Sequence, residues 1–284
     1  MERRNYLVLR LIVSIELSII YGLLNIYNNY KEKTIIEHTI VVDETKIEEI
    51  EKEIEFYNNI VEETNKLQEE YTDNIAKLEQ KILKKETKAK IAYLTFDDGP
   101  YDLTQKYLDV LKKNNVRATF FTLGKRDYEE TYKRIVNEDH TLANHTYYHN
   151  ISNGLYKSTD NFMNQVIKLE NYIYSITNYK TTLVRFPGGS STAGKLKTSI
   201  ANALHNKGYK YVDWNSYTGD ASNDLMAQHD AYYWYKDTCK DDIIVILMHD
   251  YNYSTYNNLE KIIKDLRDRG YILLPLNNKS VMVK

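Results

Sequence analysis

The chain opens on an apolar run, continues through a charged stretch, and ends in a long region where short apolar runs alternate with amphipathic ones. Residues 6–27 read YLVLRLIVSIELSIIYGLLNIY. As a helix this run extends about 33 Å, enough for a bilayer core. Arg10 can snorkel to the headgroups. Glu16 is central and costs about 3 kcal/mol if charged, which the flanking Leu, Ile and Val residues can outweigh. Arg3, Arg4 and Arg10 precede or open the run, so the positive-inside rule puts the N-terminus in the cytoplasm and the rest of the chain outside. No small-x-small pattern succeeds the run. The expectation is an uncleaved single-pass anchor in the cell membrane over residues 1–30, with a cleaved signal peptide as the alternative.

Residues 31–90 are charged, and no Gly or Pro occurs between Gly22 and Gly99. Apolar positions recur in steps of three and four: Ile47, Ile50, Ile54, Tyr57, Val61, then Thr64 and Gln68, then Tyr71, Ile75, Leu78, Ile82. This seam predicts a coiled-coil-like helix over 45–87, reaching about 64 Å. It reads as an extracellular stalk able to form a homodimer, or as a helical hairpin lying on a domain.

From residue 91 to 284 the pattern predicts strands at 91–96, 117–123, 183–186, 209–214, 243–248 and 271–274. Helices are expected near 102–114, 126–138, 160–177, 195–206, 224–237 and 255–269. That alternation argues for an α/β fold with a largely parallel sheet, compatible with a small or incomplete (β/α) barrel. Such folds carry chemistry at the C-terminal ends of strands.

Composition narrows this only a little. The 284 residues carry a formal net charge of −2, so no basic patch argues for nucleic acid. The single cysteine, Cys239, excludes an internal disulfide. The 27 tyrosines offer flat faces with a hydroxyl, suited to a sugar groove, although drift toward Tyr, Asn, Lys and Ile accounts for most of them.

The predicted strand ends gather chemistry. The first closes in Thr95-Phe96-Asp97-Asp98-Gly99-Pro100, which alone is an ordinary solvated turn. Asn144-His145-Thr146-Tyr147-Tyr148-His149 places two histidines at i, i+4, on one face if the segment is helical, where both can reach one metal. Val184-Arg185-Phe186-Pro187-Gly188-Gly189 sets an arginine, able to grip a carboxylate, before glycines that let backbone N–H groups approach a ligand. Val212-Asp213-Trp214 through Gly219-Asp220 brackets a tryptophan with acids, and Ile246-Leu247-Met248-His249-Asp250 ends an apolar strand in His-Asp. Together these give a metal site plus acid/base groups.

The order Thr-Phe-Asp-Asp-Gly, His-Thr-x-x-His, Arg-x-Pro, an Asp/Trp segment and Leu-x-His resembles the NodB-type polysaccharide deacetylases, carbohydrate esterase family 4, over roughly residues 91–275. The Arg-Phe-Pro-Gly-Gly-Ser and Trp-Asn-x4-Asp forms resemble the peptidoglycan N-acetylglucosamine deacetylases. The resemblance implies a distorted (β/α) barrel. It implies Asp97 as general base, with Asp98, His145 and His149 holding a divalent metal. Zinc is the expected ion, with cobalt or another divalent ion as alternatives. It further implies His249 as general acid and Arg185 as the partner of Asp97. Gly188 would supply an oxyanion N–H, and Trp214 and Leu247 would wall a pocket for the acetyl methyl. Pro187 and Asp213 complete the substrate side. Members often carry Asp-Ser-x-Asp-Trp in the fourth motif, and this chain does not. Asp220 is therefore the first candidate partner of His249 and Asp213 the second. The implied substrate is N-acetylglucosamine of peptidoglycan. Chitin oligomers or exported poly-N-acetylglucosamine form a second possibility, and a non-catalytic glycan-binding envelope protein a third.

Overall fold

The computed structural model describes residues 44–221 and 230–284. The expected anchor lies outside the described residues, and so does the start of the helix expected at 224–237. No described helix is long and apolar enough to cross a membrane. Chain contacts divide the protein at Asn74. Helix α1, Glu44–Leu83, runs across this point. Before it, the described residues are helix alone, with the seam positions from Ile50 to Gln68 half-buried.

The second unit, Ile75–Lys284, begins well before the residue 91 expected from the pattern. The last seam positions explain this. Ile75 and Ile82 are buried and Leu78 half-buried in a cluster with Ile91, Tyr93, Phe121, Val212 and Val245. Glu79, on the same helical face, is fully buried. Its Oε1 accepts from the Tyr93 hydroxyl at 2.6 Å and its Oε2 from the Val281 N–H at 3.1 Å. Burial raises its pKa, opposed by those two hydrogen bonds.

The remaining elements are β1 (Lys90–Asp97), α2 (Asp102–Lys113), β2 (Thr119–Thr122), α3 (Glu129–Asn137), β3 (Thr141–Asn144), α4 (Thr159–Thr177), β4 (Leu183–Val184), α5 (Lys197–Asn206), β5 (Lys210–Tyr211), β6 (Ser216–Tyr217), α6 (Ala231–Thr238), β7 (Ile243–His249), α7 (Tyr253–Asp268) and β8 (Tyr271–Leu274). Strands β3 and β6 are additional to the expected ones. Each is short, and neither carries a run of β-branched or aromatic residues. All strand pairs are parallel, in the order β5-β4-β3-β2-β1-β7-β6, and β8 joins β1. Strand β8 pairs Lys90–Tyr93, while β2 pairs Thr95–Asp97 further along β1. Among the described residues β5 and β6 do not pair, so the sheet is a curled half-barrel, a distorted form of the (β/α) barrel.

Strand β1 sits at the centre and pairs with β7 from Ile91↔Ile243 to Asp97↔His249. Side chains alternate along a strand. Ala92, Leu94 and Phe96 pack with Ile244, Ile246 and Met248 beneath the helices. Ile91, Tyr93, Ile243 and Val245 fill the concave side. Counting by twos puts Thr95, Asp97, Leu247 and His249 on that concave side, at its C-terminal end. The core thus turns polar where β1 and β7 finish.

Candidate active site

The end of β1 sends two carboxylates in different directions. Asp97 completes the strand. Asp98 leaves it with φ 72°, a left-handed conformation, and its N–H donates to the Phe121 carbonyl at 3.1 Å. Gly99 comes next because nothing larger fits: a Cβ there would overlap the Asp250 carboxylate. The turn is held by the Leu123 N–H donating to the Gly99 carbonyl at 2.7 Å.

The two histidines are not on a helix. His145 succeeds β3, and the segment to His149 is an irregular loop with Thr146 at φ 67° and His149 at φ 52°. Asn144 shapes it: its Oδ1 accepts from the Thr146 N–H at 2.9 Å, while its Nδ2 donates to the Val166 carbonyl at 2.9 Å. The i, i+4 spacing still brings the rings together, with centres 4.9 Å apart, through loop geometry rather than helical phase.

Asp98, His145 and His149 converge. Asp98 Oδ1 lies 3.6 Å from the Nε2 of each histidine, and one ligand atom from each residue falls within 4.8 Å of the others. The same Oδ1 is buried and has no hydrogen-bond partner, an arrangement that normally costs free energy and calls for a ligand. His145 Nδ1 lies 2.9 Å from the Arg185 carbonyl. Donation from Nδ1 fixes the tautomer that leaves the Nε2 lone pair free, as a metal-bound imidazole requires. Burial pushes the His145 pKa down to about 3, so the ring is neutral at physiological pH. The donor set and the unsatisfied oxygen therefore fit a divalent cation. These donors do not select one metal.

Asp97 is buried beside this cluster, with Oδ2 3.6 Å from His145 Nε2. Its Oδ1 accepts from Arg185 Nη1 at 2.8 Å. Arg185 is fully buried yet well partnered. Nη1 also donates to Thr95 Oγ1 at 2.7 Å, Nε to the Val212 carbonyl and Nη2 to the Asp213 carbonyl, both at 3.2 Å. Its guanidinium carbon lies 4.1 Å from the Phe121 ring centre. Burial raises the Asp97 pKa, and Arg185 opposes that rise. The result is a carboxyl more basic than a solvated aspartate, facing a cation that does not deprotonate.

His249 ends β7 opposite Asp97. Its Nδ1 is 2.7 Å from Asp220 Oδ1, and its backbone N–H donates to Asp220 Oδ2 at 2.9 Å. The Thr255 hydroxyl donates to the same Oδ2 at 2.6 Å. Burial works to lower the His249 pKa, but the Asp220 hydrogen bond and the charges of Asp220, Asp97 and Asp98 outweigh it and raise the value to about 9. Of the two candidate partners, Asp220 takes the place. Asp213 is occupied elsewhere, its oxygens accepting from the Ser190 N–H at 2.8 Å and the Ser190 hydroxyl at 2.6 Å. It ties down the Pro187–Ser190 turn.

In that turn Gly188 has φ 72° and Gly189 φ 84°. Gly188 is exposed, and a Cβ on Gly189 would sit 3.1 Å from the Trp214 ring. Pro187 is buried, its carbonyl accepting from the Tyr156 hydroxyl at 2.8 Å. Trp214 and Leu247 are half-buried. Two further supports have no role assigned to them by the motif pattern. Thr255 lies in the first turn of α7, started by Asn252 capping the Ser254 N–H. Asp250 is fully buried, with Oδ2 accepting from the Thr104 hydroxyl at 2.6 Å. Asp250 adjoins His249 in sequence, which is the one available signal. Thr255 has none.

A curled parallel sheet thus carries at its C-terminal edge an Asp-His-His cluster that could hold a divalent cation, a buried Asp–Arg pair and a His–Asp pair. The sequence model of the polysaccharide deacetylase family matches residues 84–212. Two Bacillus cereus proteins named peptidoglycan-N-acetylglucosamine deacetylase are similar to the chain. One is 38% identical over 136 residues, covering 47% of this chain and 46% of the relative. The other is 31% identical over 193 residues, covering 64% and 67%. Among solved structures, the catalytic domain of peptidoglycan N-acetylglucosamine deacetylase from Eubacterium rectale superposes with a TM-score of 0.64 at 33% identity, over 68% of this chain and 91% of that one. The chain belongs to the polysaccharide deacetylase family and is a hydrolase of that family.

Proposed function

We propose that the protein removes acetyl groups from N-acetylglucosamine of peptidoglycan by metal-dependent amide hydrolysis. The observation that carries this reading is Asp98 Oδ1, buried, without a hydrogen-bond partner and 3.6 Å from two imidazole nitrogens beside Asp97. Asp98, His145 and His149 would hold a divalent cation, which when bound would supply Lewis-acid polarisation of the acetamide carbonyl and acidify water. The substrate class is supported by the names of the relatives and by the exported orientation read from residues 6–27.

The chain's own residues supply the proton transfers. Asp97 Oδ2, the oxygen that Arg185 does not hold, takes the proton of the attacking water. His249 carries its proton on Nε2, since Nδ1 is committed to Asp220, and donates it to the leaving amine. The Gly188 N–H faces the developing oxyanion. Trp214 and Leu247 hold the acetyl methyl and exclude water from it. Base and acid need opposite protonation states at one pH, and the surroundings of Asp97 and His249 provide them.

The test is acetate release from purified peptidoglycan, with the deacetylated sugars identified by mass spectrometry. Release that stops with chelator and returns with added divalent metal is expected. Stoichiometric acetate release that chelator leaves untouched would overturn the metal-dependent reading, and release from chito-oligomers alone would overturn the substrate.

The same two groups set a pH profile. Activity should fall on the acid side as Asp97 gains a proton, at a pH above the ordinary Asp value of 3.8. It should fall on the alkaline side as His249 loses its proton, between its ordinary 6.5 and about 9, with a bound dication lowering it within that window. Asp220→Asn should move the alkaline limb down. A limb that stays in place would remove Asp220 as the group that sets it.

A further inference from the structure

Asp98 takes its place in the Asp-His-His cluster at φ 72°, a left-handed conformation that is unfavourable for residues other than glycine and persists only where the surroundings impose it. Backbone hydrogen bonds to Phe121 and from Leu123 hold one side of the turn. The other side rests on Asp250. Its carboxylate packs directly on Gly99, where a Cβ would meet Oδ2 at 2.0 Å and Cγ at 2.6 Å. The same Oδ2 accepts from the Thr104 hydroxyl at 2.6 Å, and Thr104 Oγ1 in turn accepts from the Tyr101 N–H at 2.8 Å. A chain of hydrogen bonds thus runs from Asp250 through Thr104 to the backbone three residues after Asp98. Asp250 is itself anchored. The Tyr107 hydroxyl, one turn along α2 from Thr104, lies 3.1 Å from the His249 carbonyl and donates to the Asn252 carbonyl at 2.6 Å. Asn252 Nδ2 donates to the Asp220 carbonyl at 2.8 Å. The frame that fixes Asp250 therefore also carries the His249–Asp220 pair.

A carboxylate is a costly side chain for this position. Asp250 is fully buried, and its Oδ1 has no hydrogen-bond partner. An apolar residue would fill the space without burying a polar group. What the position requires is an oxygen at one point, facing Thr104 and Gly99 together. We propose that Asp250 is a positioning residue for the metal site. Acting through Thr104 and against Gly99, it sets the turn from Asp98 to Tyr101, and with it the direction of the Asp98 ligand oxygen. It also ties that turn to the end of β7, so that the ligand on β1 and the acid His249 keep a fixed separation beyond the last paired residues, Asp97 and His249. This rests on the metal-dependent reading above and assigns the residue that holds its geometry.

The experiment titrates the metal-free full-length protein with zinc ion by calorimetry, and measures acetate release at saturating zinc. Asp250→Ala should weaken zinc binding about tenfold, the lower end of the loss seen when an outer support of a metal ligand is removed. Its kcat at saturating zinc should fall about tenfold with KM unchanged, the mark of misplaced reacting groups and not of lost substrate binding. Thr104→Val, which keeps the shape and removes the bridging hydroxyl, should do the same, and it serves where Asp250→Ala fails to fold. Because the two residues act in one chain, the double variant should be no worse than the weaker single one. Asp250→Asn keeps an oxygen for Thr104 and should bind zinc within about threefold of the wild type. Unchanged zinc affinity in folded Asp250→Ala or in Thr104→Val overturns the proposal. So do additive losses in the double variant, or an Asp250→Asn loss as large as that of Asp250→Ala. Tight zinc binding by the wild type with the expected variant pattern but no acetate release would overturn the deacetylase reading and leave the positioning role standing.

Discussion

Asp97→Asn is expected to lower kcat about 10³-fold, the scale of a lost general base, while the protein keeps its metal. Asparagine preserves the shape of the side chain but cannot take a proton from water. Asp98, His145 and His149 are untouched, so metal content by elemental analysis should stay stoichiometric. The variant should also be less stable, because Arg185 is fully buried and loses its carboxylate partner at 2.8 Å, the one it has among the described residues. Removing one side of a buried pair costs about 3–5 kcal/mol in other proteins. Here Arg185 keeps Thr95 Oγ1 and two backbone carbonyls, which argues for the lower end of that range. A lowered melting temperature with full metal content and lost turnover is the expected triad of results. Turnover within tenfold of the wild type would remove Asp97 as the base.

Asp98→Ala is expected to abolish stoichiometric metal binding and acetate release with it. The substitution leaves only two imidazoles. Disturbing even an outer partner of a metal ligand costs 10–100-fold in affinity elsewhere, so loss of a direct ligand should exceed about 10²-fold. The check does not depend on activity. A ligand that binds only the folded state stabilises it, by about 2.7 kcal/mol at a hundredfold excess over Kd. Divalent metal should therefore raise the melting temperature of the wild type and leave that of Asp98→Ala unmoved. A variant that still shows the metal-dependent rise would place the ion elsewhere.

Much of this site is legible in the chain because its members stand at the ends of apolar runs. Asp97 and His249 close β1 and β7, the two longest strands, whose buried runs are unambiguous. Arg185 and the glycines after it stand out by chemistry alone. The strands that the pattern does not reveal, β3 and β6, are held by neighbours in the sheet more than by their own composition. The loop carrying His145 and His149 keeps its spacing but not its expected helical form. Left-handed turns at Thr146 and His149, braced by Asn144, have no periodic signature.

The sequence by itself determined the alternation of elements, the family, and the residue types placed at each strand end, because burial periodicity and motif order are local properties of the chain. The tertiary structure decided which groups face one another. Asp220 and not Asp213 meets His249, since Ser190, beyond the neighbouring strand β4, claims Asp213. Asp98 Oδ1 is left buried and unsatisfied beside the two histidines, whereas Arg185 reaches Asp97 Oδ1 from a distant strand. The compact unit that holds the sheet takes in the chain from Ile75, since Glu79 finds Tyr93 and Val281 only once the sheet has curled. Each choice depends on contacts between residues far apart in the chain, and pairing of that kind leaves no periodic mark on the sequence.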